Sequence, residues 1–361
     1  MRVMTVVGAR PNFMKLVPLE REFQKYATIE HISVHTGQHY DKNMSEVFFQ
    51  DLGLAQPVRF LGVGSGGHGE MTGKIMIEFE KVCLEMKPDI VIVVGDVNST
   101  IAASLVARKL SIPVAHVEAG LRSFDESMPE ELNRKLTDCL SNFLFVSEPS
   151  GVENLAREGT DMKRVHLVGD IMLETLQLFL PYILRRKKWD DFGFTPFAYA
   201  VVTFHRPANV DDITSLQELL DILALLPYPS VFPVHPRTEK KLKEFGMQDS
   251  LHKISTITLT PPMAYIDFLS LVESAAVVLS DSGSIQAETS FFNVPCLVCR
   301  DNTERPFYLE HGTSELVGRD ITRIEQSLAT IQNGQFKQSD IMIKKFGINV
   351  AFKIVKTIAQ A

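Results

Sequence analysis

Two short apolar runs, residues 90–94 and 112–117, each lead directly to an acid, Asp96 and Glu118. Runs this short, rich in valine and isoleucine, read as buried parallel strands. A helical pattern over residues 99–109 lies between them. In open parallel sheets, ligands bind outside the carboxyl ends of the strands. A third acid, Glu130, falls at a predicted helix start, because Pro129 suits a first helical turn. Three carboxylates delivered to one such rim point to a centre that handles protons or developing positive charge.

The same rhythm runs through the N-terminal half. Residues 3–7 and 29–35 read as strands, and a helix is predicted to begin near Pro11. Helical patterns follow at 43–52 and 71–86, and further short strands at 142–146 and 164–168. This alternation predicts a doubly wound α/β domain. A second such domain is predicted after the charged stretch 185–191. Its strands, at 198–203, 231–234, 276–279 and 294–298, lead to His205 and Arg206, His235 and Arg237, Ser280-Asp281-Ser282-Gly283, and Arg300 and Asp301. Helical patterns at 213–225 and 265–274 separate them. The expected division is a first domain over 1–172, a second over 173–343, and a helical tail, 344–361, that packs back on the first. A cleft between the two domains is the expected ligand site.

With 361 residues, 45% of them hydrophobic, the chain is long enough for two cores. A net charge of −7 argues against general affinity for nucleic acid or anionic membrane. The apolar start is broken by Gly8, Arg10 and Pro11, and the most apolar later stretch, 216–234, by Glu218, Asp221 and prolines. Neither reads as a signal peptide or as the roughly 20 residues that span a bilayer. The expectation is a soluble cytoplasmic protein. Cys296 and Cys299 form a C-x-x-C, but inside an apolar strand-like run, where cysteine behaves as a small hydrophobe.

Ser282-Gly283-Ser284 follows a strand and opens a predicted helix, IQAETSFF. Free N–H groups at a helix start bind anions, and the dipole adds roughly 0.3–1 kcal/mol. A plain helix cap would look the same. The Gly8-Ala9-Arg10-Pro11 turn, with Lys15 one turn on, adds cations, and the two features together favour a diphosphate. G-x-G-x-x-G and G-x-x-x-x-G-K-[ST] are both absent, and the glycine-rich 62–74 reads as a loop. No metal spacing is present among the ten histidines. His205 and His235 stand at strand ends, where either structural or functional roles are open. Buried Glu118 needs a partner, and Arg122 and Arg134 are the candidates.

These residues resemble the non-hydrolysing UDP-N-acetylglucosamine 2-epimerases. The ordered motifs are GARP at 8–11, GDVNST at 95–100, HVEAGLRS at 116–123, PEELNR at 129–134, HRPANVD at 205–211, HPRT at 235–238, SDSGSIQAE at 280–288 and RDNTERP at 300–306. The resemblance implies two Rossmann-like domains of the glycosyltransferase-B type around a central cleft, a homodimer, and no cofactor or metal. It implies epimerisation at carbon 2 of a UDP-2-acetamido sugar by elimination and re-addition of UDP through a 2-acetamidoglucal. It implies Asp96, Glu118 and Glu130 as catalytic acids and His205 as a catalytic-site histidine near the diphosphate. Arg10, Ser282 and Gly283 then hold phosphate, Glu288 the ribose and Phe268 the uracil, with Ser284 a further substrate-binding residue. Lys15, Arg134, His235 and Arg305 are further substrate-site residues.

The chain also departs from the family pattern. Ser284 stands where a second glycine is usual, Ala287 where a glutamate is, and Asp170 replaces a common asparagine. HRPAN replaces a frequent HRREN. Gln38-His39 is followed by Tyr40 and Asp41, so the resemblance does not extend to activation by a second UDP-sugar. HTGQHYDKNMSEVFF and VGDIM are similar to the branch acting on UDP-2,3-diacetamido-uronic acids, whereas TERP matches the UDP-N-acetylglucosamine members.

Overall fold

The computed structural model describes residues 1–37, 56–64 and 66–360, apart from the side chain of Arg10. The helical pattern at 43–52 and the positions Gln38 to Asp41 lie outside the described residues. The chain divides into two compact units, one made of Met1–Gln177 with Lys345–Ala361 and the other of Leu178–Lys344.

The first unit is built on seven strands among the described residues: β1 (Arg2–Val7), β2 (Glu30–His35), β3 (Arg59–Phe60), β4 (Ile90–Val94), β5 (Val114–Ala119), β6 (Phe143–Val146) and β7 (Val165–Leu167). They lie in the order β3-β2-β1-β4-β5-β6-β7, every pair parallel. All five residues of β4, Ile-Val-Ile-Val-Val, are buried, as a strand covered on both faces requires. Met4, Val34, Val91 and Val93 meet Phe79, Val82, Ala103 and Val106 of helices His68–Met86 and Asn98–Lys109 in one core. Strand order reverses between β1 and β4, which makes their carboxyl ends the ligand-binding crevice of this sheet.

The second unit repeats the plan. Its strands are β8 (Ala200–Thr203), β9 (Ser230–Pro233), β10 (Ile257–Thr260), β11 (Val277–Ser280), β12 (Cys296–Val298) and β13 (Ser314–Leu316), in the order β10-β9-β8-β11-β12-β13. The order reverses between β8 and β11, and their carboxyl ends carry His205 and Ser282-Gly283.

Several boundaries differ from the sequence reading. Glu118 does not end β5 but lies inside it, because a register shift between Val117 and Ala119 keeps the strand going. Residues 68–74, read as loop, form the first two turns of helix 68–86. Met71 and Ile75 are buried there, and Lys74 pairs with Glu70 at 2.5 Å, so packing outweighs the cost of Gly69 and Gly73. The two-residue β3 precedes that segment, where no strand was evident. The tail is two helices, Met342–Phe346 and Val350–Ala359, parted where Asn349 adopts φ +56°. Cys296 and Cys299 are buried, as the strand reading required, and burial pushes the Cys296 thiol up to about 12. No helix among the described residues is long and apolar enough to cross a membrane.

Candidate active site

Three loops converge at the carboxyl ends of β1, β4 and β5. After β1, the backbone N–H groups of Gly8 and Ala9 donate to Asn12 Oδ1 at 3.1 and 2.9 Å. Asn12 Nδ2 in turn donates to the Val94 carbonyl at 3.2 Å, which ties the start of helix Arg10–Phe23 to the end of β4. One turn into that helix, the buried Lys15 pairs with the buried Glu118. Lys15 is therefore a partner of Glu118 that the sequence did not suggest. Helix phase brings the Lys15 ammonium beside Gly95 and Glu118, and that convergence is invisible along the chain.

Glu118 sits at φ +73°, a conformation that costs a non-glycine residue on the order of 1–3 kcal/mol. The bulge re-aims its side chain toward Lys15. Gly95, at φ +69°, provides the matching space: a Cβ there would lie 2.9 Å from Lys15 Nζ and 3.5 Å from Glu118 Oε2.

Asp96 is next to Gly95, with its side chain one third exposed and 2.5 Å from Arg134 Nη1. Its carbonyl accepts from Asn133 Nδ2 at 2.9 Å. Arg134 is almost wholly buried and bridges Asp96 to Glu131, 2.6 Å from Nη2. Burial alone would raise Glu131, but hydrogen bonds from Ser123 and Arg134 outweigh it and hold the carboxyl below its usual range. Glu130, half-exposed in the first turn of helix Pro129–Leu140, is a neighbour of this network. The sequence reading missed Glu131; its signal was the i, i+3 spacing to Arg134. Arg122 bonds Asp138 at 2.8 Å and Glu158 at 2.7 Å. A partly exposed carboxylate beside a buried one, each held by a cation, can move protons and steady positive charge on a ligand.

In the second unit the buried Asp281 organises the crevice. It accepts from the backbone N–H of His205 at 3.1 Å, of Arg206 at 2.8 Å, and from Asn209 Nδ2 at 3.1 Å. Its Oδ1 is 3.2 Å from His205 Nδ1, which fixes the imidazole. Burial would raise Asp281, yet His205 and these N–H donors hold it below the ordinary range. The His205 and His235 rings are 5.3 Å apart. His235 is exposed, and its Nδ1 caps helix Pro236–Glu244 by accepting from Arg237 N at 3.2 Å.

Ser282-Gly283-Ser284 links β11 to helix Ile285–Phe292, with the two serine Oγ atoms 3.3 Å apart. A Cβ on Gly283 would lie 2.1 Å from Glu304 Oε1, so glycine lets the turn approach that carboxylate and a larger residue would make the Glu304 side chain shift. Glu304 is buried and 2.7 Å from Arg300. The sequence reading passed over Asp281 and Glu304 as site residues, although both lie within quoted motifs. Glu288 and Arg305 are buried, Arg305 lies 6.0 Å from the Tyr308 ring centroid, and Phe268 is half-buried on helix Tyr265–Glu273. The Arg10 side chain lies outside the described residues.

Comparison with known proteins agrees with this geometry. A family model described as UDP-N-acetylglucosamine 2-epimerase matches residues 21–359. The UDP-N-acetylglucosamine 2-epimerase of Methanocaldococcus jannaschii is 40% identical over 92% of this chain and 93% of its own. The UDP-2,3-diacetamido-2,3-dideoxy-D-glucuronate 2-epimerase of Pseudomonas aeruginosa is 38% identical over 91% of this chain and 92% of its own. A crystal structure of the M. jannaschii enzyme in complex with UDP-GlcNAc and UDP aligns over 100% of both chains, with TM-score 0.91 and 38% identity. The chain belongs to the UDP-N-acetylglucosamine 2-epimerase family.

Proposed function

We propose that this chain interconverts UDP-N-acetylglucosamine and UDP-N-acetylmannosamine by eliminating and re-adding UDP. Carbon 2 of the sugar bears no acidic proton, so simple deprotonation is slow. In the proposed route a base takes the carbon-2 proton as the carbon 1–oxygen bond breaks, leaving a 2-acetamidoglucal and UDP. UDP then returns to carbon 1 while an acid delivers a proton to the other face of carbon 2. Nothing is oxidised or reduced, so the route calls for no redox cofactor.

The observation that carries this reading is the pairing of Asp96 with Arg134 and of Glu118 with Lys15 at the switch point of the first sheet. These carboxylates, with Glu130, are the proposed acid–base groups and stabilisers of oxocarbenium-like charge at carbon 1. Arg134 and Lys15 act by holding Asp96 and Glu118. In the second unit, His205, the Ser282 hydroxyl and the N–H groups of Gly283 and Ser284 are the proposed diphosphate ligands. Glu288 is assigned to the ribose, Phe268 to the uracil, and His235 and Arg305 to the nucleotide.

The P. aeruginosa relative supports a second reading, in which the sugar is a UDP-2,3-diacetamido-uronic acid. Incubation of each UDP-sugar in heavy water separates the two. Deuterium entering carbon 2 of UDP-N-acetylglucosamine, with the UDP-mannosamine isomer formed, is expected. Exchange in the diacetamido-uronate alone would favour the second reading, and exchange in neither would refute both. Transfer to an added acceptor would indicate a glycosyltransferase, and free N-acetylmannosamine with UDP a hydrolysing enzyme. The reading also takes the protein to act as a cytoplasmic homodimer, which light scattering of the purified chain checks for the dimer.

A further inference from the structure

His116 lies on β5 with none of its side chain exposed, two residues before Glu118. Its Nε2 is 2.9 Å from the carbonyl oxygen of Gly95, and its Nδ1 is 2.7 Å from Asp138 Oδ1. A carbonyl can only accept, so Nε2 donates to Gly95. Asp138 Oδ2 takes the Gly120 backbone N–H at 3.0 Å and Arg122 Nη2 at 2.8 Å. Burial would raise Asp138, but His116 and Arg122 hold it below the usual carboxylate range, so it too accepts. The imidazole therefore bridges the Gly95 carbonyl and the Asp138 carboxylate.

One side chain, Asp138 on helix 129–140, thus fastens two strand ends at once. Through His116 it holds the carbonyl of Gly95, the residue before Asp96. Directly it holds the N–H of Gly120, two residues after Glu118. The clamp is reinforced on both sides: Gly95 N donates to the Val117 carbonyl at 3.0 Å, and the Gly120 carbonyl accepts from Asn154 Nδ2 at 2.9 Å. Gly95 and Gly120 both have positive φ, which glycine adopts freely, whereas Glu118 at positive φ is strained. Glycine's freedom leaves the two turns loosely specified by themselves, so the bonds to Gly95 and Gly120 fix where Asp96 and Glu118 stand relative to each other.

We propose that His116 and Asp138 are positioning residues that set the placement of Asp96 and Glu118 for the carbon-2 reaction. Neither touches the reacting atoms; they act through the backbone of the two turns. This inference rests on the epimerase reading above.

Glutamine and asparagine at position 116 separate the two arms of the clamp. A glutamine amide reaches the Nε2 position and can still donate to Gly95, whereas an asparagine amide reaches the Nδ1 position and cannot. In folded protein, His116→Asn is expected to lower kcat by about 10²-fold, the scale of a 1 Å misplacement, with KM near wild type. His116→Gln is expected to recover at least about tenfold of that loss. Equal kcat in the two variants, or a loss confined to KM, would overturn the proposal. If the His116 variants do not fold, Asp138→Asn decides: a fall in kcat at constant KM supports the clamp, and wild-type kcat refutes it. Wild-type enzyme in the same heavy-water assay separates the two levels. An inactive wild type on either UDP-sugar sinks the functional reading and this one with it, while an active wild type with unimpaired variants sinks this one only.

Discussion

At the scale of single residues, the chain spends unusual local conformations where it holds its acids. Glu118 and Gly95 both sit at positive φ, and Lys15 is buried against Glu118. Asp96→Asn and Glu118→Gln are each expected to cut turnover by ~10²-fold or more, the range of acid–base catalysis, while UDP affinity stays near wild type. Steady-state kinetics beside UDP calorimetry checks this, and near-normal rates in both variants would remove these residues from the chemistry. His35 is a separate case. It is buried, stacked 4.9 Å from Phe13, and its Nδ1 accepts from Gly37 N at 2.7 Å. Burial pushes its pKa down to about 4 from 6.5. The unfolded chain binds the proton more readily, so the stabilisation is full above about 6.5 and is lost as pH falls toward 4. Urea unfolding across that range is expected to show declining stability, and His35→Gln a shallower decline.

At the scale of elements, caps and packed faces decide where helices begin and what they carry. Helix Ile213–Ala224 starts at Asp212, whose carboxylate accepts from Ser215 N at 2.9 Å. Asp212→Ala is expected to lower the urea midpoint at constant m-value, since one orphan N–H loses its partner. Helix 129–140 has a different task. Asn133, Arg134 and Asp138 lie on its buried side and contact the Asp96 carbonyl, the Asp96 carboxylate, and His116 with Gly120. One amphipathic face thus supplies both packing and the supports of the β4 and β5 turns.

At the scale of the molecule, the last segment belongs to the first unit. Val350, Ala351, Ile354, Val355 and Ile358 are buried, and helix 350–359 contacts helix 10–23. Glu174 accepts from Ala351 N at 2.7 Å, and the Phe346 carbonyl from Asp170 N at 2.7 Å. Burial of each larger apolar side chain contributes ~1.5–3 kcal/mol relative to exposure. A chain ending at Lys344 is therefore expected to lose stability in residues 1–177. Limited proteolysis followed by mass spectrometry checks it: cutting should begin in 1–177 while a fragment close to 178–344 persists. Equal protection of both segments would contradict this packing.

The sequence by itself determined the α/β class, because buried parallel strands need continuous Val and Ile runs such as Ile90–Val94, and helices need their own period. It also determined Asp96 just past the end of β4 and the glycine-bearing turn after β11, because strand ends and turn residues are local in the chain, whereas Glu118, read as ending its strand, lies inside β5. Tertiary structure alone decided the partners. Lys15 and Glu118 are 103 residues apart, Asp96 and Arg134 are 38 apart, and Gly283 faces Glu304. Such pairings depend on strand order and helix phase, which place distant residues a few ångströms apart. No local pattern encodes that distance, so these residues were legible and their pairings were not.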